Sequence, residues 1–303
     1  MKIAITGGTG FVGSRVVGLA DHPVSALARK TQPEQPHVEW IAGGLTDPAA
    51  LARMCDGADA VIHIAGVVNA PNRAGFEAGN VAGTAAVLTA AKAAGAKRFV
   101  HVSSLSAREP RKSMYGGSKA RGDALVEESG LDWVIVRAPA VYGPGDTEMV
   151  DLYRLAARGY AAALPGRISM IHVDDLATAL LALTGEGPSH EILEIDDGRG
   201  DATDGYSHMD FARAIGAALG REALMPLLVP AGVLGLAAGV MGLAGRITGK
   251  APRLTRDRAR YIAHPDWVAR GGNARLSGLW TPRFDLSAGV ADTVGGYRAK
   301  GWL

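Results

Sequence analysis

The chain has 303 residues, 48% of them hydrophobic and 20% charged, and a formal net charge of +2. This is ordinary globular composition, with material for one large domain or a major and a minor one, and its charge balance gives no footprint for nucleic acid. A single cysteine, Cys55, excludes an intrachain disulfide framework and fits a reducing compartment. No Cys/His spacing suggests zinc, and no metal site is expected. The chain starts directly on an apolar strand, so the cytoplasm is the expected address.

Residues 2–5 read as a short strand. Thr6-Gly7-Gly8-Thr9-Gly10-Phe11-Val12-Gly13 follows and runs into a helix through about Leu19. Strand, glycine-rich turn and helix in that order is the context in which this spacing means dinucleotide binding. Gly7 permits the tight turn, Gly10 lets backbone approach a pyrophosphate, and Gly13 lets helix pack close on strand. The helix N-terminus offers unpaired N–H groups to the phosphates.

Residues 24–28 read as a second strand ending in Arg29-Lys30. An acidic residue at this strand end bonds the adenosine ribose in NAD-binding folds. Here Ala28 occupies that place and Arg29 follows, which suits a 2′-phosphate and so NADP over NAD; the alternative is an ordinary solvated strand end. Further strands are expected over 38–42, 60–65 and 97–102. Helical patterns lie between them, the longest over about 76–94. Such alternation predicts a parallel sheet covered on both faces.

After the fifth strand come Ser103 and Ser104, then Tyr115-Gly116-Gly117-Ser118-Lys119. Tyrosine and lysine four apart on a helix share a face. An ammonium near a phenol favours phenolate, and such a tyrosine can exchange a proton with a carbonyl or hydroxyl while a nicotinamide exchanges hydride. Alone, the pair would read as a surface helix contact. Behind a dinucleotide loop and a strand ending in serines, it reads as catalytic.

Taken together, these segments resemble the short-chain dehydrogenase/reductase superfamily, in its extended and atypical epimerase/dehydratase-like branch. Val61-Ile62-His63-Ile64-Ala65-Gly66, Asn80-Val81-Ala82-Gly83-Thr84, Arg98-Phe99-Val100-His101-Val102-Ser103-Ser104, Arg137-Ala138-Pro139-Ala140-Val141-Tyr142-Gly143-Pro144-Gly145 and His172-Val173-Asp174-Asp175-Leu176-Ala177 carry the resemblance further. It implies Tyr115 as general acid/base, Lys119 as the residue that lowers its pKa and bonds the nicotinamide ribose, and Ser104 as the substrate-orienting serine, with Ser103 or Ser106 as fallback. It also implies cofactor contacts from Ala65, Gly66 and Leu45, with Pro139 and Val141 beside the nicotinamide. Asp175 is expected as a structural cap.

Three departures bear on the substrate. Gly43-Gly44-Leu45 stands where relatives often have Gly-Asp-Leu, with Asp on adenine. Ala140 stands where nucleotide-sugar epimerases commonly have an Asn for the diphosphate, and Ile168-Ser169 where they commonly have Arg-Asp. The connection from Ser104 to Tyr115 is also shorter than in typical epimerases. UDP- and dTDP-sugars are therefore expected to bind poorly.

From about Asp146 the strand-helix alternation stops. Helices are expected over 146–159, 174–183 and 207–219, a strand over 191–195, and a final helix from about Ser287. Asp196, Asp197, Asp201 and Asp204 lie in a Gly/Asp-rich stretch that reads as a solvated loop, since its spacing lacks the Glu of a calcium loop. Residues 223–245 carry no charge. Pro226 and Pro230 should hold their start out of helix, and the remainder is too short to span a bilayer. Gly232, Gly235, Gly239 and Gly242 form a small-residue stripe on it. A cap helix over the active site or in a subunit contact, such as a homodimer's, is expected; peripheral membrane contact is the alternative.

The whole predicts an α/β doubly wound parallel sheet (Rossmann), with a dinucleotide core over 1–145 and a region over 146–303 that completes the sheet and forms a small C-terminal substrate cap. The expected activity is NADP-dependent hydride transfer between nicotinamide and a secondary alcohol or ketone of a small or apolar substrate. A nucleotide-sugar epimerase or dehydratase, and a non-catalytic NADP-binding regulator or assembly factor, are the alternatives.

Overall fold

The computed structural model describes residues 1–198, 205–221, 223–228 and 255–303. Two compact units result. The first comprises Met1–Ala138, Asp174–Ile195 and Gly271–Thr281, and the second Pro139–Val173, Asp196–Arg270 and Pro282–Leu303. The chain thus leaves the first unit after Ala138, ahead of the expected boundary at 145, and returns to it twice.

The first unit is built on a seven-stranded sheet. Its strands are β1 (Ile3–Thr6), β2 (Val24–Ala28), β3 (Val38–Ala42), β4 (Ala60–His63), β5 (Arg98–Ser104), β6 (Asp132–Ala138) and a last strand, Glu191–Leu193. The spatial order is Glu191–Leu193, β6, β5, β4, β1, β2, β3, and every pairing is parallel. Each residue of β1, β2 and β4 is buried. Unbroken burial, instead of alternation, is what helices on both faces impose.

The connecting helices are α1 (Phe11–Leu19), α2 (Pro48–Cys55), α3 (Arg73–Phe76), α4 (Gly83–Ala93) and α5 (Met114–Glu127). Asp47 caps α2 by accepting the Ala50 N–H at 3.0 Å, with Pro48 in the first turn. Leu51, Met54, Val87, Leu88, Phe99, Val126 and Ile135 pack one face of the sheet. Each such side chain contributes roughly 1.5–3 kcal/mol. Cys55 lies among them, and burial pushes its thiol up to about 11, so it is inert.

Arg98, 4% exposed, fastens the late return of the chain. It donates to the Leu183 carbonyl at 2.8 Å and the Pro188 carbonyl at 2.5 Å, and pairs with Asp132 at 2.7 Å. Leu183 directly follows the helix Val173–Ala182, whose C-terminal carbonyls favour a cation. Asp174, in that helix's first turn, receives both arms of Arg15 from α1 at 2.5 and 2.6 Å. Asp175 is buried in the same turn, where a helix N-terminus favours an anion.

Among the described residues the sheets of the second unit are short. Ala140–Tyr142 pairs with Met170–His172, Arg167–Ile168 with Tyr206–Ser207 and Asp266–Trp267, and Tyr160–Ala163 with Met225–Leu228. Its core is aromatic: Tyr142, Tyr153, Phe211 and Tyr297, carried partly by the helices Val150–Ala157, His208–Ala218 and Leu286–Ala299. Tyr153 meets Tyr297 edge-on with centroids 4.9 Å apart.

One expectation needs correction. Asp196 and Asp197 are not in a solvated loop: both are buried, Asp196 accepting from Ser169 at 2.9 Å and Asp197 from the Tyr206 hydroxyl at 2.5 Å. Ser169 lies 27 residues before Asp196, and Tyr206 lies 9 after Asp197, so hydroxyls outside the stretch supplied the partners that local composition did not reveal. The helical pattern over about 76–94 is helix throughout, with Glu77–Ala82 a π-helical turn between α3 and α4. Asp201, Asp204, the small-residue stripe at 232–242 and all of 229–245 lie outside the described residues. Among the described residues no helix is long and apolar enough to cross a membrane, and no acidic or Cys/His cluster could hold a metal ion.

Candidate active site

The glycine loop takes its shape from what it touches. Gly7 has φ +77°, a left-handed conformation, and a Cβ there would come within 2.7 Å of the Ala65 backbone nitrogen. The loop therefore lies across the exit of β4, where Ala65 N–H bonds the Thr6 hydroxyl at 3.3 Å. Gly10 N–H closes the turn onto the Gly7 carbonyl at 2.9 Å. A Cβ on Gly13 would sit 2.1 Å from that same carbonyl, so the first turn of α1 packs directly on the loop. Thr9 and Gly10 are exposed, and Phe11 and Val12 half-buried. Helix α1 starts with no side-chain cap and no acid in its first turn, leaving its N–H groups to an anion.

At the end of β2, Arg29 and Lys30 are exposed. A Cβ at Gly44 would meet only the Arg29 side chain, at 3.9 Å. The acid nearest in sequence on the facing loop, Asp47, is already engaged as the α2 cap. Leu45 packs instead on Gly83 at the start of α4, as part of the core's margin.

Beyond β4, residues 64–67 are held by Asn80 of the π-helical turn. Its side chain accepts from Val67 N–H at 2.6 Å and donates to the Val67 carbonyl at 2.9 Å and to the Ser118 hydroxyl at 2.8 Å. One amide therefore ties the segment holding Ala65 and Gly66 to α5. Thr84 donates to the Asn80 carbonyl at 2.8 Å and meets His63 Nε2 at 3.1 Å, while His63 Nδ1 meets the Thr6 hydroxyl at 2.6 Å. The glycine loop, β4 and the π-helical turn thus share one buried hydrogen-bond chain. Burial, with Lys119 nearby, holds His63 down at about 3, so it is neutral.

Helix α5 carries Tyr115 and Lys119 one turn apart. Ser113 caps it by accepting the Gly116 N–H at 2.9 Å. A Cβ at Gly122 would meet the Asn80 carbonyl at 2.9 Å, so glycine there lets α5 settle against the π-helical turn. Tyr115 is half-buried beside the Phe76 ring, with centroids 6.2 Å apart. Lys119 is 5% exposed and donates to the Val102 carbonyl of β5 at 2.7 Å. Burial brings its ammonium down to about 8, with Asp123 opposing.

Ser104 ends β5 and caps the 3-10 turn Leu105–Arg108, accepting the Ser106 N–H at 3.2 Å. That contact uses an oxygen lone pair and leaves the hydroxyl proton to be donated. Ser103 and Ser106, the fallbacks, are also buried.

The first unit thus carries Ser104, Tyr115, Lys119, the glycine loop, Arg29, Lys30, Leu45, Ala65 and Gly66. Pro139 and Val141 belong to the second unit, Val141 paired with Ile171. Sequence reasoning gave no role to Asp123 or to the His63–His101 pair, whose rings stack with centroids 5.3 Å apart. Asp123 had a signal, since it continues the spacing of Tyr115 and Lys119 on one helix face.

Residues 3–195 match the NAD dependent epimerase/dehydratase family. The chain is 36% identical over 320 residues to a ceramide reductase of Caulobacter vibrioides, covering 99% of this chain and 96% of that one. It is 29% identical over 231 residues to a 3 beta-hydroxysteroid dehydrogenase/Delta 5-->4-isomerase of Mycobacterium tuberculosis, covering 62% of each. The fold is similar to that of the Bordetella bronchiseptica enzyme WbmH in complex with NAD+, with a TM-score of 0.75, 18% identity and 99% of both chains covered.

Proposed function

The chain belongs to the NAD dependent epimerase/dehydratase family of NAD(P)-dependent enzymes, and from that premise we propose that it is an NADPH-dependent reductase of ketones on large apolar substrates, those of the ceramide class foremost. The observation that carries this reading is the placement of Lys119. A buried ammonium, one turn from a tyrosine and anchored to a strand carbonyl, is costly, and a surface pair would have no need of it. The names of the two relatives add lipophilic alcohols and ketones as the substrate class.

The residues present fit a dinucleotide. The uncapped start of α1 and the backbone cradle at Gly7 and Gly13 suit a diphosphate, which Gly7, Thr9, Gly10, Phe11, Val12 and Gly13 would hold. Arg29 and Lys30, exposed and with no acid at that strand end, would take the 2′-phosphate. By family resemblance, Leu45, Ala65 and Gly66 would border the adenosine and its ribose, Pro139 and Val141 the nicotinamide, and Lys119 the nicotinamide ribose. When bound, the cofactor supplies the hydride.

The chain's own residues then handle the oxygen. Ser104 donates its hydroxyl proton to the ketone oxygen as a hydrogen bond and orients it. Tyr115 gives up the phenolic proton that the nascent alkoxide takes. The charged Lys119 stabilises the phenolate left behind.

Nucleotide sugars are disfavoured. Ser169, where a diphosphate ligand would be expected, is committed to Asp196 and to the Ala269 N–H at 3.0 Å. Ala140 offers no polar side chain.

The test is a panel assay. Purified protein with NADPH should consume it in the presence of a ceramide bearing a ketone in place of its backbone hydroxyl, and far more slowly with a short-chain ketone. Calorimetry with UDP-glucose should give no heat. Micromolar UDP-glucose binding without ketone turnover would put an epimerase first. Cofactor binding with no turnover across the panel would favour a regulator.

A further inference from the structure

Behind Lys119 lies a group of buried ionisable side chains that the proposed reaction does not use. Asp123 follows one turn later on α5 and is 1% exposed. Its Oδ2 accepts from Arg137 Nε of β6 at 3.0 Å. Its Oδ1 lies 3.6 Å from His101 Nε2 of β5, and burial raises its carboxyl while Ser103, Arg137 and Lys119 hold it down. His101 is fully buried, neither ring nitrogen is hydrogen-bonded, and its ring stacks on His63 of β4. Burial, with Lys119 and His63 nearby, drives His101 well below its ordinary range.

The groups facing Lys119 are therefore Tyr115 and Asp123 from its own helix, His63 from β4 and His101 from β5, with Arg137 of β6 beyond them on Asp123. Two are neutral imidazoles, and Arg137 is a second cation. Asp123 is the one carboxylate among them. Because α5 repeats every 3.6 residues, Tyr115, Lys119 and Asp123 form a single stripe, phenol first and carboxylate last.

Resting on the catalytic reading of Lys119, we propose that Asp123 is a positioning residue for it: its carboxylate, braced by Arg137, supplies the counter-charge that lets the lysine ammonium persist inside the core. Two opposed influences act on Lys119. Burial disfavours the ammonium, and Asp123 is what counters it. Without the carboxylate the buried ammonium would have no counter-charge, and the lysine would lose its proton at lower pH. Asp123 does not touch substrate or cofactor in this account. It acts through the lysine.

The alternative is that Asp123 serves only as the partner of Arg137. Two variants separate these by sign. Asp123→Asn keeps the shape and an oxygen for Arg137 Nε but removes the charge. Arg137→Gln removes the neighbouring cation and leaves the carboxylate. The readout is NADPH affinity by fluorescence titration across the alkaline range, which needs no substrate, together with kcat/KM on the lipid ketone and a thermal melt.

In the wild type, affinity should fall as pH rises through about 8, where Lys119 loses its proton. In Asp123→Asn that limb should move to lower pH by on the order of one unit. In Arg137→Gln it should move to higher pH. Asp123→Glu, which restores the charge, should return it towards the wild type. If Asp123→Asn does not fold, the direction of the Arg137→Gln shift decides. Melts lowered in both variants with the limb unmoved, or a wild type with no alkaline limb, would overturn the proposal. Loss of the catalytic reading is distinguishable: Tyr115→Phe would then keep its activity, whereas failure of the Asp123 role leaves Tyr115→Phe inactive.

Discussion

Each unit buries a charge, and the two are treated differently. In the first, Lys119 has a carbonyl at hydrogen-bond distance and a carboxylate one turn away. In the second, Asp146 is 3% exposed among aromatic groups. Its Oδ1 accepts the Glu148 N–H at 2.7 Å, while its Oδ2 and the hydroxyl of Tyr297 make no hydrogen bond. Burial pushes Asp146 up to about 6 and Tyr153 well above the ordinary phenol range. The buried ammonium is balanced within the core. A carboxylate that caps the approach to a helix is tolerated at a cost that depends on pH. The first unit's placement is set by parallel strands and a helix repeat, whereas the second's is set by ring packing.

The largest effect that sharpens this contrast is on stability. Burial pushes Asp146 up to about 6 from an ordinary value of 3.8. Between those values the folded state binds more protons than the unfolded, so the stability this group contributes is complete below the unfolded pKa and is lost as pH rises through about 6. Two units correspond to about 3 kcal/mol. Asp146→Asn keeps an oxygen for the Glu148 N–H and cannot titrate. Urea melts should show the variant gaining on the wild type from about pH 4 to pH 7, by up to that amount. Parallel curves would erase the distinction between the two buried charges.

A smaller effect concerns charge on the surface of the first unit. Arg29 is exposed at the end of β2, where it should meet a 2′-phosphate. A charge-assisted contact contributes about 1.5–3 kcal/mol, so Arg29→Ala should weaken NADPH binding on the order of tenfold to a hundredfold and leave NADH binding nearly unchanged. Parallel titrations decide it. Equal losses for both cofactors, or a wild-type preference for NADH, would remove the NADPH assignment.

The same contrast explains what was legible in the sequence. β2 and β3 fall on the residues their apolar runs indicated, and the glycine loop, Tyr115 and Lys119 stand on elements of the expected type. Those features depend on short-range patterns: a run of buried residues, a turn that needs glycine, a four-residue helix spacing. The π-helical turn around Asn80 left no such trace, because one extra residue per turn changes no residue type. Asp196 and Asp197 were misread because their partners, Ser169 and Tyr206, come from other parts of the second unit. Pro226, expected to hold the chain out of helix, does so in a strand paired with Tyr160–Ala163. Asp123 was readable and unread, since its stripe with Tyr115 and Lys119 needs only counting by four.

The central claim is that Tyr115 passes a proton to an oxygen whose carbon takes hydride from NADPH. The direct measurement is a single-turnover reaction with NADPH deuterated at the transferring position and the ceramide ketone, read by mass spectrometry. The account predicts one deuterium on the carbinol carbon with the wild type. With Tyr115→Phe it predicts undiminished cofactor binding and a rate lower by about 10²–10⁴-fold. An alcohol without deuterium, or a Phe variant that reduces the ketone at the wild-type rate, would contradict it.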